Sequence, residues 1–241
     1  MISIRDIERA SMTPEKKEMA KNDYFAFYIG RPLSYILTIP FLYTSLTPNQ
    51  VSVISIIPLV IGFALSYMAE SDSFMYISWC CFFLWNLLDG VDGNMARYRK
   101  SFSKMGSVYD AMSGYAAMIL SFFAWGIAAA HFPGILNNYI HLNPELYIIL
   151  GGISGISVIF PRFIMHKAIT TVGTGESINT VKDKSKYGVI KIIALNLISI
   201  SGFVQVLMLI AVPLKLYDLF TLSYFILNLL VMVVSLKFIL K

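Results

Sequence analysis

Three carboxylates stand inside otherwise apolar stretches of the chain: Asp89, Asp92 and Asp110. Asp89 and Asp92 are spaced i, i+3, which puts both on one helix face. A basic turn centred near residue 101 separates them from Asp110. Asp92 and Asp110 each lie nine residues from that centre. An antiparallel helical hairpin therefore brings them to one depth, about 13 Å below the turn at ~1.5 Å rise per residue. Carboxylates in an apolar setting are costly and usually serve a site. Three converging on one point repel each other, and a divalent cation resolves the repulsion. Hard oxygen ligands suit Mg²⁺ or Mn²⁺, with positions left open for water and phosphate oxygens.

The neighbouring residues fit the same chemistry. Gly90 and Gly93 remove side chains beside the carboxylates, so that a ligand or another backbone can approach. Ala96 is small on the same face. Arg97 carries a planar fork suited to phosphate. Gly106, one helical turn before Asp110, thins the facing helix. The plainer alternative pairs these carboxylates with cations of neighbouring helices, but only Arg97 is close in sequence.

The elements that must position this hairpin are membrane helices. Of 241 residues, 57% are apolar and 14% charged, against ~45–50% and ~25% in a soluble domain. Mean hydropathy is +0.68. This composition excludes an ordinary cytosolic enzyme, a disordered chain and a nucleic-acid-binding module. Six stretches are long and apolar enough to span a bilayer, which takes ~20 residues each: about 50–69, 74–93, 108–130, 144–165, 189–212 and 217–236. Eighteen of the 19 Lys and Arg fall on one side of these spans, and only Lys215 lies opposite. The positive-inside rule then places both termini in the cytoplasm, in a cytoplasmic (inner) membrane.

The first 22 residues lack the apolar core of a signal peptide. Residues 24–46 are apolar but hold Arg31, Pro32 and Pro40. A seventh span there would spoil the charge bias, so an interfacial helix fits better. The expected fold is all-α: an N-terminal cytoplasmic interfacial segment, residues 1–46, and a six-helix transmembrane domain, residues 47–241. Cys80 and Cys81 are adjacent and read as packing residues.

The stretch Asp89-Gly-Val-Asp92-Gly93-Asn-Met-Ala96-Arg97, then Gly106 and Asp110, resembles the signature of the CDP-alcohol phosphotransferases. Arg31-Pro-Leu-Ser34 and Thr47-Pro-Asn-Gln-Val-Ser52 are similar to the N-terminal region of members that condense inositol phosphates. The resemblance implies a metal-dependent membrane transferase of substituted phosphate groups in phospholipid or head-group biosynthesis. The donor would be CDP-diacylglycerol or a soluble CDP-alcohol. The acceptor would be an alcohol or phosphorylated alcohol, and CMP would be released. Asp89, Asp92 and Asp110 would bind the metal and carry catalysis. Gly93, Ala96, Arg97 and Gly106 would bind the donor, with its cytidine against Gly93 and Ala96. Membrane lipids, a homodimer and no nucleic acid are the implied partners.

One position departs from the signature. Four residues after Asp110 the family pattern has a fourth Asp, understood to complete the metal site and to act as base. This chain has Gly114. Loss of a base toward an alcohol costs ~10²–10⁴ in rate. Water, an acceptor phosphate, His166 or Glu176 are candidate substitutes, and a more acidic acceptor needs none. The alternative is a catalytically degenerate member that binds CDP-nucleotides as a membrane sensor or scaffold. An ion transporter explains the clustering beside one basic turn poorly.

Two further features stand out. Arg162 is the best candidate for an acceptor anion, ahead of His166 and Lys167 and of Lys182, Lys184, Lys186 and Lys191. The bland reading of that basic cluster is topology and lipid headgroups. Gly151 and Gly155 form a GxxxG pair, which permits close helix packing within the chain or across a dimer.

Overall fold

In a computed structural model of the protein, residues 2–172, 193 and 195–240 are described. Among them there is no strand. The N-terminal segment holds α1 (Ile4–Ser11), α2 (Pro14–Ala20), a π-helical turn (Ala26–Gly30) and α3 (Arg31–Leu42). Then come α4 (Pro48–Ile54), α5 (Ile56–Tyr67), α6 (Asp72–Tyr98), α7 (Gly106–His131), α8 (Pro144–Val172), α9 (Phe203–Ala211) and α10 (Tyr217–Ile239).

The helix starts follow from their sequences. Ser3 and Asp6 form a capping box on α1, and Thr13 caps α2 ahead of Pro14. Thr47-Pro-Asn-Gln50 is a second capping box, with Pro48 at the first helical position of α4. Side-chain oxygens there take up backbone donors that the first turn leaves unpaired, and proline gives up a donor not needed.

Five described stretches are long and apolar enough to cross a membrane: Pro48–Tyr67, Asp72–Tyr98, Gly106–Asn138, Pro144–Thr171 and Tyr217–Ile239. The protein is an integral membrane protein of all-α class. The first span is α4 and α5 in sequence, loosened at Ser55. Helix α3 has 12 residues and runs on directly from the π-helical turn; this stretch is not among those long and apolar enough to cross. Helix α3 lies along α6, with Ser34, Tyr35 and Thr38 buried. Ile7 of α1 is fully buried, and α1 packs on α3 and α6.

The stretch 189–212 differs from the continuous span expected. Residues 189–192 and 194 lie outside the described residues, and α9 has nine residues. The chain turns just before α9 because the N-terminal segment is stapled there. Asn196 donates to the Asn22 carbonyl at 2.6 Å and accepts from Tyr24 N–H at 3.0 Å. Gly202 packs against Ser199 and Asp23, and a Cβ there would lie 2.9 Å from the Asp23 carboxylate.

The glycine pair of α8 is used inside the chain. A Cβ on Gly151 would fall 2.6 Å from the Phe122 carbonyl, and one on Gly126 would fall 2.5 Å from the Tyr147 carbonyl. Gly155 meets Ile119 at 2.9 Å in the same way. The backbones of α7 and α8 touch along this seam, so the three glycines set the position of α8 against α7. Gly151→Leu is expected to lower thermal stability in detergent, since overpacking costs ~1–3 kcal/mol even where neighbours are flexible. Here the obstacle is backbone. Gly152, with open space around its Cβ, is the control: Gly152→Leu should melt with the parent. Equal melting of both variants would contradict the seam.

At the far end from the basic turn, Lys215 pairs with Asp72, and Tyr217 donates to the same carboxylate. The one basic residue on that side therefore has a carboxylate partner.

Candidate functional site

Leu88, Val91 and Met95 on one side of α6 pack with Val51 of α4 and with Leu37, Phe41 and Leu42 of α3. Asp89 and Asp92 stand on the adjoining flank of α6, where Ser52 of α4 reaches Asp92 and Asp110 of α7 lies close by. The 99–105 link is anchored by Arg99, whose guanidinium donates to the carbonyls of Phe41, Leu42, Thr44 and Leu46. These carbonyls lie at the end of α3 and just beyond it. Arg99 so ties the hairpin turn to the N-terminal segment.

Asp89, Asp92 and Asp110 meet where α6 faces α7. One carboxylate oxygen from each lies within 4.8 Å of the others. Asp92 is buried and Asp110 is exposed. Among the described residues, none of the three is in an ion pair within 4 Å. Among the described residues, neutralisation by neighbouring helices is therefore not what holds them. Three hard anionic oxygens at this spacing fit one divalent cation.

Ser52 of α4 donates to Asp92 Oδ2. The bond leaves the other oxygen of Asp92 for a ligand and fixes the carboxylate rotamer. Behind it, the Ser55 and Ser113 hydroxyls share a hydrogen bond of 2.6 Å, and Trp85 Nε1 donates to Ser113 at 2.8 Å. This buried chain links α4, α6 and α7 beneath the carboxylates. Outer partners of metal ligands are worth ~10–100-fold in metal affinity. Ser52→Ala is expected to weaken Mn²⁺ binding by about that factor, read by direct titration. Unchanged affinity would separate Ser52 from the site.

The glycines serve differently from the open gap expected. The Arg97 guanidinium lies back over Gly93, with Nη2 2.8 Å from where a Cβ would stand. Ser34 of α3 occupies the space beside Gly90, at 2.8 Å. Gly106 does face open space, with Asn49 the nearest group at 3.8 Å. Arg97 Nη2 donates to Asn94 Oδ1 at 3.3 Å, and Asn94 Nδ2 donates to Thr38 at 3.1 Å. Arg97 Nε is buried without a partner, as is Arg31 Nε.

Three cavities share these residues. One of about 270 Å³ lies between Pro48, Asn49, Gly93, Ala96, Arg97 and Asp110. A second, about 280 Å³, is lined by Lys16, Arg31 and Arg97 as well as by all three carboxylates. Burial, and the charges of Arg97 and Arg31, hold the Lys16 ammonium below the usual lysine range. Three cations so close, none of them ion-paired among the described residues, make a seat for a polyanion. The third cavity, about 1130 Å³, opens from Asp89 and Asp110 past Gly114 to Tyr115, Arg162 and His166.

The structure thus brings Gly93, Ala96, Arg97 and Gly106 around Asp92 and Asp110, and sets Arg162 across the largest cavity from them. Lys167 is exposed on α8. Glu176, Lys182, Lys184, Lys186 and Lys191 lie outside the described residues. Lys16, Arg31, Ser52 and Asn94 join the site without having been singled out for it in the sequence. Their signal was weak: Lys16 counted only toward topology, Arg31 toward topology and a resemblance, and Ser52 only toward a resemblance.

These features define a polytopic α-helical membrane protein with an acidic cluster and cationic cavities at the basic end of its bundle. A family model described as CDP-alcohol phosphatidyltransferase matches residues 45–236. The chain belongs to that family, whose members transfer phospho-alcohol groups from CDP-alcohols in lipid biosynthesis. A comparison with curated proteins finds no match.

Proposed function

We propose that the protein is an active, divalent-cation-dependent transferase. It moves a phospho-alcohol group from a CDP-alcohol to an acceptor hydroxyl and releases CMP. The observation that carries this reading is the juxtaposition, around one small cavity, of three carboxylates and three cations that form no ion pair among the described residues.

Asp89, Asp92 and Asp110 would hold Mg²⁺ or Mn²⁺. When bound, the cation supplies charge stabilisation for the transferred phosphoryl and the departing CMP. Arg97, Arg31 and Lys16 take the diphosphate oxygens, with Arg97 presenting two nitrogens at once. The cytidine lies in the cavity between Pro48, Ala96 and Gly106. The acceptor enters the large cavity, where Arg162 holds its anionic group. Fixing both partners converts a bimolecular encounter into an oriented one. The acceptor oxygen attacks the phosphorus nearer the donor alcohol, and the bond to the CMP oxygen breaks.

Residues 1–46 act as a cytoplasmic interfacial segment that closes the donor site, and residues 47–241 as the membrane domain. Both termini face the cytoplasm of an inner membrane, and the assembly is a homodimer. CMP release by purified protein, screened over CDP-diacylglycerol and soluble CDP-alcohols with alcohol and phosphorylated-alcohol acceptors, tests the reading. Turnover with at least one pair is expected. Cation-dependent binding of CDP compounds with no turnover would favour a sensor instead.

A further inference from the structure

We infer that Tyr115 and His166 form the proton-accepting unit for the acceptor hydroxyl, in place of the carboxylate that position 114 lacks. The inference rests on the transferase reading above. Gly114 lies one turn along α7 from Asp110, and a Cβ there would have no atom within 4 Å. The space is open to the large cavity. Among the described residues, the titratable groups lining that cavity are Asp89, Asp110, Tyr115, Arg162 and His166. The two carboxylates belong to the acidic cluster. Arginine does not give up its proton in proteins. That leaves the histidine and the tyrosine.

The two are joined across α7 and α8. Tyr115 Oη and His166 Nδ1 lie 3.3 Å apart. Phe163 stacks edge-on against the Tyr115 ring at 5.0 Å and holds it in place. With Nδ1–H donated to the phenol oxygen, Nε2 keeps a free lone pair. The phenol oxygen can accept that bond and orient the ring, as a positioning residue does. Arg162 sits one helical turn before His166 on the same face of α8. A single helix face so offers a cation for the anionic part of an acceptor and a base for its hydroxyl. His166 is exposed at the cavity wall, so an accepted proton passes on to water.

The step balances. The acceptor O–H gives its proton to Nε2 as the acceptor oxygen bonds to phosphorus. The bond from phosphorus to the CMP oxygen breaks, and CMP leaves with the electron pair. The imidazolium then releases its proton to solvent. A general base of this kind is worth ~10²–10⁴ in rate.

The test is turnover by four variants of the full-length protein in lipid, each checked for Mg²⁺-dependent CDP binding. His166→Gln is expected to lower kcat by ~100-fold or more with CDP affinity within about twofold of the parent. Tyr115→Phe should lower kcat by only ~2–10-fold, the value of one hydrogen bond. His166→Ala should fall like His166→Gln. The double variant Gly114→Asp/His166→Ala should regain at least a tenth of parental kcat, because the carboxylate supplies the base. A structural role for His166 would not be mended by a carboxylate on the other helix. His166→Gln with parental kcat overturns the inference, and so does a double variant no faster than His166→Ala. A parent that releases no CMP with any donor sinks the transferase reading itself, and this inference with it.

Discussion

Asp89→Asn, Asp92→Asn and Asp110→Asn are each expected to cut CMP release by more than ~100-fold and to abolish the cation dependence of CDP binding. Each removes one anionic ligand from a group that lies within 4.8 Å. Even outer partners of such ligands are worth ~10–100-fold, so a ligand should exceed that. The amide is nearly isosteric, so the fold should survive. Excess Mn²⁺ should rescue Asp110→Asn best, since Asp110 is the exposed member. If all three variants bind CDP compounds as tightly as the parent, with the same cation dependence, the carboxylates do not form the site.

The second large effect is expected at Arg97. Arg97→Ala should weaken binding of CDP compounds by ~30-fold or more, because truncating one partner of a buried charge pair costs ~2–5 kcal/mol. Arg97→Lys should recover little of it. The guanidinium reaches Asn94 and lies over Gly93 with its fork toward the cavity, and a single ammonium cannot present two donors in that plane. Arg31→Ala should weaken the same ligand less, since Arg97 and Lys16 remain. Binding is read by calorimetry with and without Mg²⁺. Arg97→Lys at parental affinity would show that the fork is not used.

How much of this could be read in the sequence depended on how local each feature is. Asp89, Asp92 and Asp110 were legible because two share a helix face and the third stands at an equal count from the turn. Hairpin geometry alone joins them. Ser52 reaches Asp92 across 40 residues of sequence. Lys16 of α2 and Arg31 of α3 reach the site from the N-terminal segment, far from the carboxylates in sequence. No periodicity carries that information. Gly93 was read as a gap for a ligand, but the Arg97 guanidinium lies over it. One turn along a helix allows that return, yet spacing does not say which occupant wins.

The spans show the same division. The starts of α6, α7, α8 and α10 follow from apolar runs and their Pro, Gly and Asp punctuation, whereas α6 and α8 run past their expected ends, to Tyr98 and Val172. The break before α9 does not follow from such punctuation, because it depends on Asn196 bonding to Asn22 and Tyr24 at the other end of the chain. Gly151 and Gly155 announced a close contact. That the partner is α7 of the same chain rests on Gly126 and the Phe122 carbonyl, which no local pattern marks.

The central claim is that the three carboxylates hold a divalent cation against the diphosphate of a CDP compound. Mn²⁺ can report this directly. The protein in nanodiscs would be loaded with one equivalent of Mn²⁺ and a CDP-alcohol, and pulsed electron paramagnetic resonance would read the coupling between the Mn²⁺ electrons and ³¹P. A clear ³¹P coupling is expected in the parent and its loss in Asp89→Asn. Bound Mn²⁺ that shows no ³¹P coupling, or the same coupling in Asp89→Asn as in the parent, would contradict it.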